Sequence, residues 1–77
     1  MTELQHGERV WVRAAGAWRR GNAIRFEPQH TANAFVTFKT REGRNTIRVH
    51  PRDRTTYPRW TRTHPRSLPD FDGRIEE

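Results

Sequence analysis

Between Gly7 and Arg54 the chain alternates apolar and polar residues with a period of two, in four short runs: Glu8–Arg13, Trp18–Phe26, Ala34–Arg41 and Asn45–His50. This is the spacing of a strand with one face buried, because successive side chains of extended backbone point to opposite sides. Val10, Val12, Ile24, Phe26, Val36, Phe38, Ile47 and Val49 then face inward. Arg9, Trp11, Arg13, Arg25, Phe35, Thr37, Lys39, Thr46 and Arg48 form the opposite face. Four such runs in about fifty residues predict an all-β fold, a small and strongly bent antiparallel sheet or barrel.

The connections fit that reading. Ala14-Ala15-Gly16-Ala17 is a small-residue turn in which Gly16 can take a positive φ. Glu42-Gly43-Arg44 is a hairpin signal between the third and fourth runs. Gly21 lies inside the second run, where a glycine marks a bulge or a sharp bend. Residues 28–33 open with Pro28, lack periodicity and read as a loop. Residues 1–6 are a lead-in whose Leu4 can reach across one end of the sheet. After His50, a tight turn at 51–54 leads to a short fifth strand at 55–57. Pro58, Pro65 and Pro69 then punctuate an extended segment that no central strand accommodates. That segment either wraps the sheet, anchored by Tyr57, Trp60 and Leu68, or orders only on a partner. The expected organisation is a lead-in at 1–6, one domain at 7–57, and an extension at 58–77 ending in an acidic tail.

With 77 residues, 31% of them hydrophobic, the chain can build one minimal core. It has no cysteine, which excludes disulfides and thiolate metal sites. No run is long and apolar enough to span a bilayer, and the first residues lack the shape of a signal peptide, so a soluble, cytoplasmic or nucleoid-associated monomer is expected.

Charge narrows the partner. Residues 1–68 hold 14 basic and 5 acidic side chains, a net of +9, whereas 69–77 hold 1 and 4, a net of −3. A basic body points to polyanions, nucleic acid above all. Rings between cations on one sheet face suit base stacking with phosphate neutralisation, unless the C-terminal segment covers Trp11 and Phe35 as a second layer of core. A second cluster, Arg19, Arg20, Arg41 and Arg44, comes from two connections and suits phosphate contact. A third, Arg52, Arg54, Arg59, Arg62 and Arg66 with Tyr57 and Trp60, suits an arm that tracks a strand or folds on a protein.

Catalysis finds little support. His6, His30, His50 and His64 lack metal-ligand spacing, Ser67 is the one serine and lies in the proline-rich segment, and no phosphate-binding glycine loop is present. Neither a metal nor a cofactor is implied, and the chain is not expected to be an enzyme.

Gly7-Glu8-Arg9-Val10-Trp11-Val12 resembles the opening of Tudor- and KOW-type modules. Trp18–Ile24 resembles their second strand, Phe35-Val36-Thr37-Phe38 with Gly43 the third strand and hairpin, and Ile47–Asp53 the fourth strand and following turn. The resemblance implies an SH3-like barrel of four to five strands with an extended C-terminal segment. It also places Phe38 at one position of the aromatic cage that reads methylated side chains. The other cage positions fall near Ala14, Arg20 and Arg41, and guanidinium groups repel a cationic ligand, which disfavours that role. The expected function is nucleic-acid binding, DNA or RNA, with weak sequence preference, through Trp11, Arg13, Arg20, Arg25, Lys39, Arg41, Arg44 and Arg48. The alternative is docking on an acidic protein partner.

Overall fold

The computed structural model describes residues 3–24, 34–52, 58–69, 71 and 73–76. Arg25, Phe26, the loop at 28–33, Arg54 and the fifth strand expected at 55–57 with its Tyr57 lie outside the described residues.

The described residues form an all-β sheet with strands β1 (Arg9–Ala14), β2 (Ala17–Ile24), β3 (Ala34–Thr40), β4 (Gly43–Val49), β5 (Trp60–Thr61) and β6 (Arg74–Glu76), plus a 3₁₀ turn at Pro65–Ser67. The order across the sheet is β4-β3-β2-β1-β5. These pairs are antiparallel; β6 instead joins β2 in parallel, Trp18 opposite Ile75. Thus β2 shares one side between two partners, β6 along Ala17–Arg19 and β3 along Gly21–Ile24.

Two-residue turns make the hairpins. Ala15 and Gly16 both take positive φ, 53° and 77°, between the paired Ala14 and Ala17. Positive φ at both central residues matches the right-handed twist of the flanking strands. Arg19 holds this turn, its Nε donating to Ala14 O (3.0 Å) and its Nη2 to Ala15 O (3.2 Å). In the β3–β4 hairpin the turn residues are Arg41 and Glu42, one step before the expected connection, and Gly43 carries the positive φ (128°) as the first residue of β4. Thr40 Oγ1 accepts the Glu42 N–H (3.2 Å) and donates to Gly43 O (3.0 Å).

Alternation delivers the core. Val10, Val12, Ala14, Ala23, Ala34, Val36, Phe38 and Val49 are buried in one cluster, with Ile47 packed against it. Each fully buried valine contributes about 1.5–3 kcal/mol. Ile24 departs from expectation. It pairs with Phe35, one step out of phase with the buried Ala23–Val36 pair, and so belongs to the outer face. Gly21 also differs from the expected bulge, since register runs unbroken through it on both sides, Val10 opposite and Phe38 opposite. A Cβ there would stand 2.6 Å from Thr37 O and 2.7 Å from Val36 Cγ1, so the glycine permits a close approach of β2 to β3.

Among the described residues no ladder joins β4 to β5, and the sheet is open. One side-chain and one backbone hydrogen bond span the opening. The Trp60 indole, 2% exposed, donates Nε1–H to His50 O at the end of β4 (2.7 Å), and Leu4, 1% exposed, donates its N–H to Pro51 O (2.7 Å). Arg62 pairs with Glu8 through Nε and Nη2, donates to Glu3 O (3.2 Å), and lies 4.9 Å over the Trp60 ring. These contacts tie the lead-in to the C-terminal segment. The Arg62 hydrogen bond holds the Glu8 carboxyl below the ordinary carboxylate value against the opposing effect of burial, and the Gln5 N–H and the Arg62 charge add to it.

Candidate polyanion-binding face

Register sets the outer face. Partners opposite one another in an antiparallel pair share a side, so Arg9–Asn22, Trp11–Arg20, Asn22–Thr37, Phe35–Arg48, Thr37–Thr46 and Lys39–Arg44 lie on the face away from the core. With Arg13, Trp18 and Ile24, the outer positions of β1–β4 hold six cations, Arg9, Arg13, Arg20, Lys39, Arg44 and Arg48, and no carboxylate.

The C-terminal segment divides this face. β5 pairs with β1, Thr61 opposite Trp11, and Arg13 N donates to Arg59 O (2.8 Å). Trp11 is only 6% exposed. Arg20 lies over its ring (4.9 Å) and His64 meets it edge-on (5.1 Å, 61°). Arg13 likewise lies 5.7 Å from the centre of the Trp18 ring, which is 2% exposed. Trp11 is therefore not an open stacking platform. A chain poor in aliphatic residues uses both tryptophans as a second apolar layer, and β1, between β2 and β5, is buried on its outer face at Trp11 as well as on its inner face, while Arg9 stays exposed.

The other half of the face is open. Lys39, Arg44 and Arg48 are exposed, as is Arg41 in the turn, and none forms an ion pair among the described residues. Lys39 and Arg44 are direct cross-strand partners. Like charges opposite one another cost roughly 0.2–1 kcal/mol, a penalty that an anion seated between them removes. The carboxylates Glu3, Glu8 and Glu76 are paired elsewhere, with Arg52, Arg62 and Arg74, and Glu42 is exposed in the β3–β4 turn, where it lines the cleft with Arg41.

The expected set thus separates. Lys39, Arg44 and Arg48 share the open part of the face, Arg41 sits in the turn and lines a cleft with Arg19, Arg13 and Arg20 cover tryptophans, Trp11 is buried, and Arg25 is outside the described residues. Arg9, exposed and opposite Asn22, extends the basic face; alternation with Trp11 marks its side, although the sequence set omits it. The second arginine cluster splits, because Arg19 and Arg41 line a cleft beside Arg74 and Glu76 while Arg20 and Arg44 are on the outer face. Of the third cluster, Trp60 is buried and Arg62 is paired with Glu8, whereas Arg52, Arg59 and Arg66 are exposed, Arg66 5.7 Å from the Phe71 ring centre; Arg54 and Tyr57 lie outside the described residues. Phe38 is a core residue, which removes it from any cage.

Two histidines are turn residues. His50 Nδ1 accepts the Arg52 N–H (3.1 Å) and His64 Nδ1 accepts the Arg66 N–H (3.2 Å). Ser67 Oγ donates to His64 O (2.7 Å). Among the described residues no group of three or more His, Asp or Glu could hold a metal ion, and no helix is long and apolar enough to cross a membrane. Comparison with known proteins finds no matching family model, no matching curated protein and no matching solved structure, so any reading of this face rests on the chain's own residues.

Proposed function

We propose that this chain binds nucleic acid through its sugar-phosphate backbone, with weak sequence preference, using Lys39, Arg44 and Arg48 of the β3–β4 hairpin. The observation that carries the reading is the exposed Lys39–Arg44 pair, two cations held opposite one another on a face without carboxylates. Phosphate contact by such a surface releases counterions and depends steeply on salt. With Trp11 covered, base stacking contributes little, and a duplex serves as well as a single strand. For the fold, the return of β5 to β1 beside a β1–β4 meander supports the SH3-like, Tudor- or KOW-type resemblance.

The covering of Trp11 also favours a second reading, docking on an acidic protein partner, since it removes the largest ring from the stacking surface. Amide-shift titration with a short single strand and the matching duplex, at low and moderate salt, separates the two. Salt-sensitive shifts at Lys39, Arg44 and Arg48 with Trp11 undisturbed support phosphate binding. The absence of shifts with either nucleic acid at low salt rejects it in favour of the protein partner.

A further inference from the structure

β4 is the last strand on its side of the sheet. One edge pairs with β3 from Gly43 to Val49, and among the described residues nothing pairs with the other. The strand has seven residues, about 24 Å of extended backbone. Gly43 through Thr46 are exposed, and no proline or bulge interrupts the strand, so its outward N–H and C=O groups form a template for one more strand.

The side chains decide which strand fits. A second copy pairing antiparallel about Thr46 would set Arg44 of each chain opposite Arg48 of the other, and like charges directly opposite are destabilising. The same positions favour carboxylates. On the inner side of β4, Ile47 is half-buried against the core, so an apolar side chain beside it extends that core. In that register the edge disfavours a second copy, and its charges and Ile47 suit a strand that is acidic on one side and apolar on the other. We infer that the open edge of β4 takes up an extended acidic segment of a partner protein as an added strand, with carboxylates opposite Arg44 and Arg48 and a β-branched residue beside Ile47. This surface is an edge, distinct from the face that contacts phosphate, and the two share Arg44 and Arg48.

The test uses the full chain and a capped heptapeptide alternating Glu and Val, followed by amide shifts and hydrogen exchange. Slowed exchange confined to Gly43–Val49 is expected. A peptide of the same composition with Glu and Val in separate blocks should bind about tenfold more weakly. N-methylating only the glutamates or only the valines removes the backbone donors from one edge of the peptide at a time. One version should lose binding and the other keep it, because an added strand uses one edge. Arg44→Glu with Arg48→Glu should weaken the alternating peptide by about tenfold or more at a urea midpoint no lower than wild type, since two cross-strand pairs with the peptide are reversed while the Lys39–Arg44 repulsion is removed. Equal binding of the blocked peptide, equal effects of the two N-methylated versions, or the same protection produced by an oligothymidylate alone would overturn strand addition.

Discussion

Replacing Gly21 by alanine probes the packing that positions the candidate face. The new Cβ would stand 2.6 Å from Thr37 O and 2.7 Å from Val36 Cγ1. The first obstacle is backbone and the second is a fully buried side chain, so neither can swing aside as an exposed chain end would. β3 must retreat by roughly half an ångström or more in an interior packed as densely as a crystal. That retreat strains the Gly21–Phe38 and Ala23–Val36 pairings together. Overpacking of this kind costs about 1–3 kcal/mol, while alanine returns about 0.4–1 kcal/mol by restricting the unfolded chain. The net expectation is a loss of about 1–2 kcal/mol, from a total of about 4–12 kcal/mol for a chain of this size. Urea unfolding followed by tryptophan fluorescence reads it directly, since Trp11, Trp18 and Trp60 are all buried. At a slope of about 1 kcal/mol/M the midpoint should fall by about 1–2 M. Asn22→Ala, at the exposed neighbouring position, should leave it within about 0.5 kcal/mol of wild type. A Gly21→Ala midpoint equal to or above wild type would refute the close approach of β2 and β3.

Three further outcomes follow from the same packing and hydrogen bonds. Ala15→Asn places an Asn-Gly pair in a turn whose first central residue has φ 53°, and should raise stability by about 0.5–1 kcal/mol, seen as a thermal midpoint several degrees higher. Trp60→Phe keeps a ring in the opening between β4 and β5 but removes the donor to His50 O, and should cost about 1–2 kcal/mol in urea unfolding. Glu8 titrates below its ordinary value when folded, so the unfolded chain binds more protons through that interval. Its contribution is complete above about pH 4.5 and is lost as pH falls through the lower folded value. Glu8→Gln should accordingly flatten the decline of the urea midpoint between neutral pH and acid relative to wild type.

The strands are legible because alternation is a local property: Val10 with Val12, Val36 with Phe38, and Ile47 with Val49 each carry the period of two in three residues. Ile24 is not, because its side follows from the β2–β3 register, and small Ala23 and Gly21 take the inner positions that an apolar pattern assigns to larger residues. Alternation puts Trp11 on the outer face, where it stands, yet its burial depends on Thr61 and His64, some fifty residues away, which periodicity within β1 does not report. Trp60 and Thr61 form an edge strand, which a proline-punctuated segment allows, and the parallel pairing of Arg74–Glu76 with β2 leaves no period-two signal in three residues. At the candidate face, Lys39, Arg44 and Arg48 are legible from alternation and charge together. Which arginines cover tryptophans is not, since Arg13 and Arg20 differ from them only in what lies beside them.

The most direct test of the central claim is the salt dependence of duplex binding by the wild-type chain and by a triple variant, Lys39→Gln, Arg44→Gln and Arg48→Gln. Every phosphate that the variant no longer neutralises should make the slope of log K against log salt shallower by about 0.9, so a reduction of about two to three is predicted, at a urea midpoint no lower than wild type because the Lys39–Arg44 repulsion is gone. A slope identical to wild type would contradict the assignment of phosphate binding to the β3–β4 hairpin.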